Sequence, residues 1–151
     1  MMKKAFTLVE LIFVIVIIGV LSAVAIPQFS KLSDNAKISA ELSAASAIQT
    51  AVESCHGEWI ISDCPNITCG VDINMSNPTD FTAQGYPTNS GMGVSIERIL
   101  KNAGSGWTRS GADFTGPASD ASKGTSYCKT DKPCIGKKWT YDETTGAFTL
   151  N

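Results

Sequence analysis

Lys3-Lys4-Ala5-Phe6-Thr7-Leu8-Val9-Glu10-Leu11-Ile12, continuing as an apolar run to Phe29 with Gly19 and Pro27 inside it, is the stretch that governs the reading of this chain. Of the 24 residues 6–29, 18 are apolar, against 44 of the 122 that follow. Residues 11–26 carry no charge. As a helix rising 1.5 Å per residue they reach about 24 Å, short of the roughly 30 Å of hydrocarbon in a bilayer. Residues 6–29 reach about 36 Å. That longer stretch includes Glu10, whose insertion costs on the order of 2.5 to 3.5 kcal/mol at a bilayer centre and less near its edge. The position of this carboxylate needs a physical reason.

The whole chain has 151 residues, 43% apolar and 17% charged, with a net charge of -2. This is one domain's worth of chain, and it has no overall basic field that would point to nucleic acid. A mean hydropathy of +0.05 averages an oily head and an ordinary, mildly acidic body.

Three readings of the N-terminal stretch compete. The first is a secretory signal, with a basic start, an apolar run and Ala23-Val24-Ala25 as the cutting site, releasing a disulfide-stapled binding domain after Ala25. The second is a single-pass anchor, its N-terminus held in the cytoplasm by Lys3 and Lys4. Neither accounts for Glu10. The third starts from the residues together: a short basic leader, Phe6-Thr7-Leu8-Val9-Glu10, then the apolar run with Gly19 and Pro27. This resembles the class III signal of type IV pilins and the related type II secretion pseudopilins.

The resemblance implies cleavage between Ala5 and Phe6 by prepilin peptidase, N-methylation of Phe6, and assembly through Thr7, Glu10, Gly19 and Pro27. It divides the chain into a leader at 1–5, a membrane and assembly half-helix at 6–29, and an amphipathic half-helix with a globular head at 30–151. One departure stands out, since the family usually has glycine before the cut and this chain has Ala5. The implied partners are copies of the chain itself in a helical homopolymer, the peptidase, an inner-membrane assembly platform, and lipid before assembly. Nucleic acid is not indicated and no cofactor is expected. The implied location is the bacterial inner membrane, then a periplasmic or surface filament.

Glu10 also has a reading from physics alone. Cutting before Phe6 frees an amine with a reference pKa of about 7.7 to 8.0, largely cationic at neutral pH. A cation at a helix N-terminus opposes the macrodipole and, in apolar surroundings, requires an anion. Glu10 lies one turn on and can pair with its own amine or a neighbour's. The plainer alternative is that Glu10 caps the helix.

Beyond Phe29 the small and apolar positions Leu32, Ala36, Ala40, Ala44, Ile48 and Val52, with Ala47, Ala51 and Cys55 beside them, extend a helix to Cys55. Lys31, Asp34, Lys37, Glu41, Gln49 and Glu53 are expected on its polar side. Pro27 predicts a kink, and with Gly19 it brackets a segment able to unwind. Residues 62–95 read as a long connector with at most short strands, such as one at 71–75. A short helix is expected at 95–103, with Ile96, Ile99 and Leu100 on one face and Gly104 as its stop. Two hairpins follow: Trp107-Thr108-Arg109 with Asp113-Phe114-Thr115 around Gly111, and Trp139-Thr140-Tyr141 with Phe148-Thr149-Leu150 around Gly146. The fold class is therefore α+β, a long N-terminal helix packed on a small antiparallel sheet with disulfide-stapled loops. The family resemblance implies the same pilin-like architecture.

Cys55, Cys64, Cys69, Cys128 and Cys134 suit an exported, loop-rich body, and spacing alone leaves their pairing open. The resemblance favours Cys128 with Cys134, as many pilins close a C-terminal loop. A second bond would join Cys55 to Cys64 or Cys69. A zinc site from Cys55, His56, Cys64 and Cys69 has irregular spacing, and His56 reads better as a helix-end residue. Asp142 and Glu143 form a weak calcium candidate in a turn. Lys129, Lys132, Lys137 and Lys138 near Tyr127, Trp139 and Tyr141 read as a solvated loop over core aromatics. With one histidine and no nucleophile or phosphate-loop motif, no enzyme is expected.

Overall fold

A computed structural model describes residues 7–62, 67–69, 73–75, 80–89, 95–102 and 106–151. Ala5, Phe6, Cys64, Val71, Ala103 and Gly104 lie outside the described residues. The chain divides into two compact units, Met1–Asn35 and Ala36–Asn151.

Helix α1 covers Leu8–Ile61. It continues six residues past the expected end at Cys55. It runs through Gly19 and Pro27 without interruption, so the segment able to unwind is helical in the single chain. Pro27 has no N–H, which leaves the carbonyl one turn before it without its helical donor. In the first unit the large apolar side chains from Leu8 to Leu32 are exposed on every side of the helix. A helix apolar all round belongs in lipid or among other helices.

In the second unit α1 buries Ile38, Glu41, Ala45, Ile48, Val52 and Cys55. Their alternating steps of three and four keep one face toward the core. The expected stripe stepped by four from Leu32, and each such step rotates about 40°, so five of them wander about 200° around the helix. Leu32, Ala36 and Ala40 accordingly face solvent, Ala44 is half-buried, and only the stripe's last members, Ile48 and Val52, reach the core. Glu41, expected on the polar side, is fully buried.

Strands β1 (Ile67–Cys69) and β2 (Ile73–Met75) pair antiparallel, so the connector's short strands form a small ribbon. Helix α2 (Ser95–Asn102) buries Ile96, Ile99 and Leu100 as its spacing required. The two expected hairpins form β3 (Thr108–Ser110) with β4 (Asp113–Thr115) and β5 (Trp139–Asp142) with β6 (Ala147–Leu150). Gly111 and Gly146 turn them at φ +67° and +71°, where side chains are disfavoured. At Gly146 a Cβ would also enter the Tyr86 ring. β4 and β5 pair antiparallel, giving one sheet in the order β3-β4-β5-β6.

The core joins Ala45, Ile48, Val52 and Cys55 of α1 to the three α2 residues and to Phe114, Trp139, Tyr141 and Phe148 of the sheet. Phe148 stacks on Trp139 with ring centres 5.2 Å apart and tilts against Phe114 at 5.7 Å. Gln49 ties α1 to the β6 side of the sheet, its Oε1 accepting from the Phe148 N–H at 2.9 Å and its Nε2 donating to the Gly146 carbonyl at 3.2 Å. These contacts give the α+β arrangement of a long helix packed on a small antiparallel sheet.

Candidate assembly site

Thr7 precedes the first turn of α1 and Glu10 is its third residue, the spacing of a capping box. The Thr7 N–H and hydroxyl donate to Glu10 Oε2 at 3.1 and 2.9 Å, and the Glu10 N–H donates back to Thr7 Oγ1 at 3.3 Å. The plainer alternative for Glu10 therefore describes the single chain, in which the carboxylate caps its own helix. Oε1 takes no bond among the described residues. Both side chains are exposed.

Gly19 meets nothing within 4 Å of where a Cβ would stand. Packing inside the chain does not require glycine there, and the bare backbone is open to another surface. Residues 8–32 thus present a capped start, an apolar surface on all sides and one open glycine. Among the described residues α1 is the helix long and apolar enough to cross a membrane.

In the head the structure reveals a polar centre that the sequence pattern assigned to solvent. Glu41 Oε2 accepts from the backbone N–H groups of Ala118 and Ser119 at 2.6 and 3.0 Å. Oε1 accepts from the Ser119 hydroxyl at 2.5 Å and from the Trp139 indole N–H at 2.7 Å. Among the described residues no basic side chain pairs with it. Four donors stabilise the buried charge instead, joining α1, the loop after β4 and the start of β5 through one carboxylate. Gly116 makes room, since a Cβ there would lie 2.4 Å from the Glu41 carboxyl carbon. The signal was available in the spacing: Glu41 stands three residues after Ile38 and four before Ala45.

Cys128 and Cys134 are disulfide-bonded, with Cα atoms 5.3 Å apart. Cys55 is also disulfide-bonded, its partner lying outside the described side chains. That bond removes the thiolate a zinc site would need. His56 stacks on Tyr86 with ring centres 4.1 Å apart, and its Nδ1 lies 3.2 Å from the Gly85 carbonyl. Replacing both Cys128 and Cys134 with serine is expected to lower head stability by about 2 kcal/mol, the loop-closure term for so short a ring. Urea unfolding would show this as a lower midpoint at nearly unchanged slope. An unchanged midpoint would mean that the Ile135 N–H to Thr125 carbonyl bond and its neighbours already order the loop.

Asp142 and Glu143 are engaged within the fold. Asp142 accepts from the N–H and hydroxyl of Thr144 and the hydroxyl of Thr145, and Glu143 accepts from the Asn89 N–H at 2.7 Å. Among the described residues no three His, Cys, Asp or Glu are grouped to hold a metal. Trp139 and Tyr141 are core residues, while Tyr127 is half exposed beneath Lys129.

Residues 1–26 match the prokaryotic N-terminal methylation motif. The chain is 35% identical over 85 residues to a fimbrial protein of Pseudomonas aeruginosa, covering 55% of each chain. It is 41% identical over 97 residues to the type IV major fimbrial protein FimA of Dichelobacter nodosus, covering 60% of each. A fimbrial protein of Neisseria meningitidis serogroup B is 39% identical over 61 residues, 38% of this chain and 36% of that one. The chain thus spans a little over half the length of the first two relatives. No solved structure matches it. With the methylation motif at its start and fimbrial proteins among its relatives, this chain is similar to the type IV fimbrial proteins.

Proposed function

We propose that the chain is the structural subunit of a type IV pilus-like filament. It enters the bacterial inner membrane as a single pass with its N-terminus cytoplasmic and is cut between Ala5 and Phe6 by prepilin peptidase. Phe6 is then N-methylated and the subunit is built into a helical homopolymer by an inner-membrane assembly platform. The observation that carries this reading is the exposed, all-round apolar helix directly beneath a methylation motif. Leaving lipid costs such a helix little when neighbouring helices replace the lipid tails. Residues 1–5 act as leader, 6–29 as the membrane and assembly half-helix, and 30–151 as the amphipathic half-helix and head. Thr7, Glu10, Gly19 and Pro27 serve assembly, and the fimbrial relatives favour a structural part over a catalytic one.

Sequencing the mature N-terminus tests the proposal. Methyl-Phe6, leaving 146 residues of the 151, is the expected result. Ile26 would identify a signal peptide and a released binding domain, and would overturn it. The motif is shared with type II secretion pseudopilins, which form a short periplasmic piston. Long surface fibres that vanish when the chain is deleted separate the pilus from that alternative.

A further inference from the structure

The charges of the head are not evenly mixed. Lys37 donates to the carbonyl of Lys123 at 2.7 Å, which brings these two lysines together. A surface hollow of about 330 Å³ places Lys137 and Lys138 across from Asp120, Ala121 and Ser122, beside that pair. Lys129 and Lys132 lie in the adjoining disulfide loop. Three carboxylates offset half of these six lysines. Asp113 pairs with Lys138 at 3.2 Å, and Asp131 is exposed in the disulfide loop. Asp120 is turned back on its own loop, where the hydroxyl of Ser122 and then the N–H groups of Ser122 and Lys123 hold it below the usual carboxylate range.

The opposite end of β5 is acidic. Asp142 closes β5 and Glu143 follows it. Gln49 Nε2 donates both to Glu53 at 3.0 Å and to the Gly146 carbonyl, so Glu53 stands beside the same turn. Burial pushes the Tyr141 phenol well above its ordinary value, and the charges of Glu143, Asp142 and Glu53 push it further. Arg109 borders the cleft next to Asp142 and Glu143 and offsets part of this charge. From Lys137 to Asp142 the chain runs about 17 Å along an extended strand.

We infer that the head docks onto a second copy of itself head to tail, the lysine pole of one subunit against the Glu53, Asp142 and Glu143 pole of the next. Two different, complementary surfaces on one molecule make a heterologous contact, and such contacts propagate into open helices rather than closing as pairs. Opposite charges fix the orientation, while like poles are excluded by repulsion. This rests on the filament reading and adds to it which head surfaces meet.

The test uses the full chain in a host that has the assembly machinery but lacks its own pilin. Lys123→Glu with Lys137→Glu makes both poles acidic, and Glu53→Lys with Glu143→Lys makes both basic. Each double variant alone is expected to lower sheared-fibre yield at least about tenfold. Co-expression of the two is expected to restore fibres containing both, because each supplies the pole the other lacks. Melting of the membrane-extracted subunits and formation of the Cys128–Cys134 bond check that each variant folds. Parental yield in either double variant overturns the inference, as does failure of the mixture to restore fibres when both variants fold. Unchanged fibres with lost retention on heparin would overturn it by assigning the lysine pole to polyanion binding. If the parent chain itself makes no fibres and Phe6 stays uncut, the filament reading fails first.

Discussion

Glu41→Gln is expected to destabilise the head by about 3 to 4 kcal/mol, although it changes the side chain by one atom. The carboxylate offers two oxygens to four donors: the N–H groups of Ala118 and Ser119, the Ser119 hydroxyl and the Trp139 indole. An amide replaces one of those oxygens with two further donors. With the amide nitrogen in the place of Oε2, two backbone N–H groups face it; in the place of Oε1, the Ser119 hydroxyl can turn to accept, and the Trp139 indole N–H is left facing a donor in a fully buried place. Leucine is no remedy, because two of the donors belong to the backbone and cannot be substituted away. The expected loss lowers Tm by about 10 to 20 °C. Gly116→Ala attacks the same centre from outside, since its Cβ would overlap the Glu41 carboxyl. In a Glu41→Ala background that overlap is gone, so Gly116→Ala should cost far less there than in the parent. Additive effects in this double-mutant cycle, read by thermal melting, would show that Gly116 and the carboxylate do not share a site.

Glu41 also marks where the sequence was readable and where it was not. The turn glycines, the two hairpins and the α2 face follow from local chemistry, because alternation, positive φ and helical spacing each act within a few residues. Helix α1 was readable as a helix, yet its buried face was misjudged. Alanines occur on every side of it, and a series stepped by four looks like a stripe while drifting off one face. A buried carboxylate contradicts the usual rule for acidic residues, and what reverses the rule is a loop 77 residues away that supplies N–H groups. Nothing local to Glu41 reports that loop. The Cys128–Cys134 bond was reached through family resemblance, and spacing alone left it open. The N-terminal motif was legible because its chemistry lies within about five residues. Even so, the hydrogen bonds from Thr7 to Glu10 give that carboxylate, inside the single chain, the capping role that the sequence offers as the plainer alternative.

Those hydrogen bonds make the filament hypothesis separable from simple capping. Glu10→Gln keeps an amide oxygen that can accept from the Thr7 N–H and hydroxyl, so the cap survives while the charge is lost. Thr7→Val removes the hydroxyl on which the return bond depends and keeps the charge. If Glu10 serves only to cap, Thr7→Val is the worse change, weakening the first turn by about 1 kcal/mol, and Glu10→Gln is mild. If Glu10 instead neutralises the amine of Phe6 in its own or a neighbouring subunit, the order reverses. An ammonium held in apolar surroundings without its carboxylate costs about 3 to 5 kcal/mol, and every subunit added to the fibre carries that cost. The expected result is that Glu10→Gln reduces surface fibres more than tenfold while precursor level and cleavage before Phe6 stay near parental. Thr7→Val should assemble. Counting fibres by electron microscopy beside N-terminal sequencing of the membrane-held subunit reads both. Normal fibre numbers from Glu10→Gln would return this residue to the role it has in the single chain, a helix cap and nothing further.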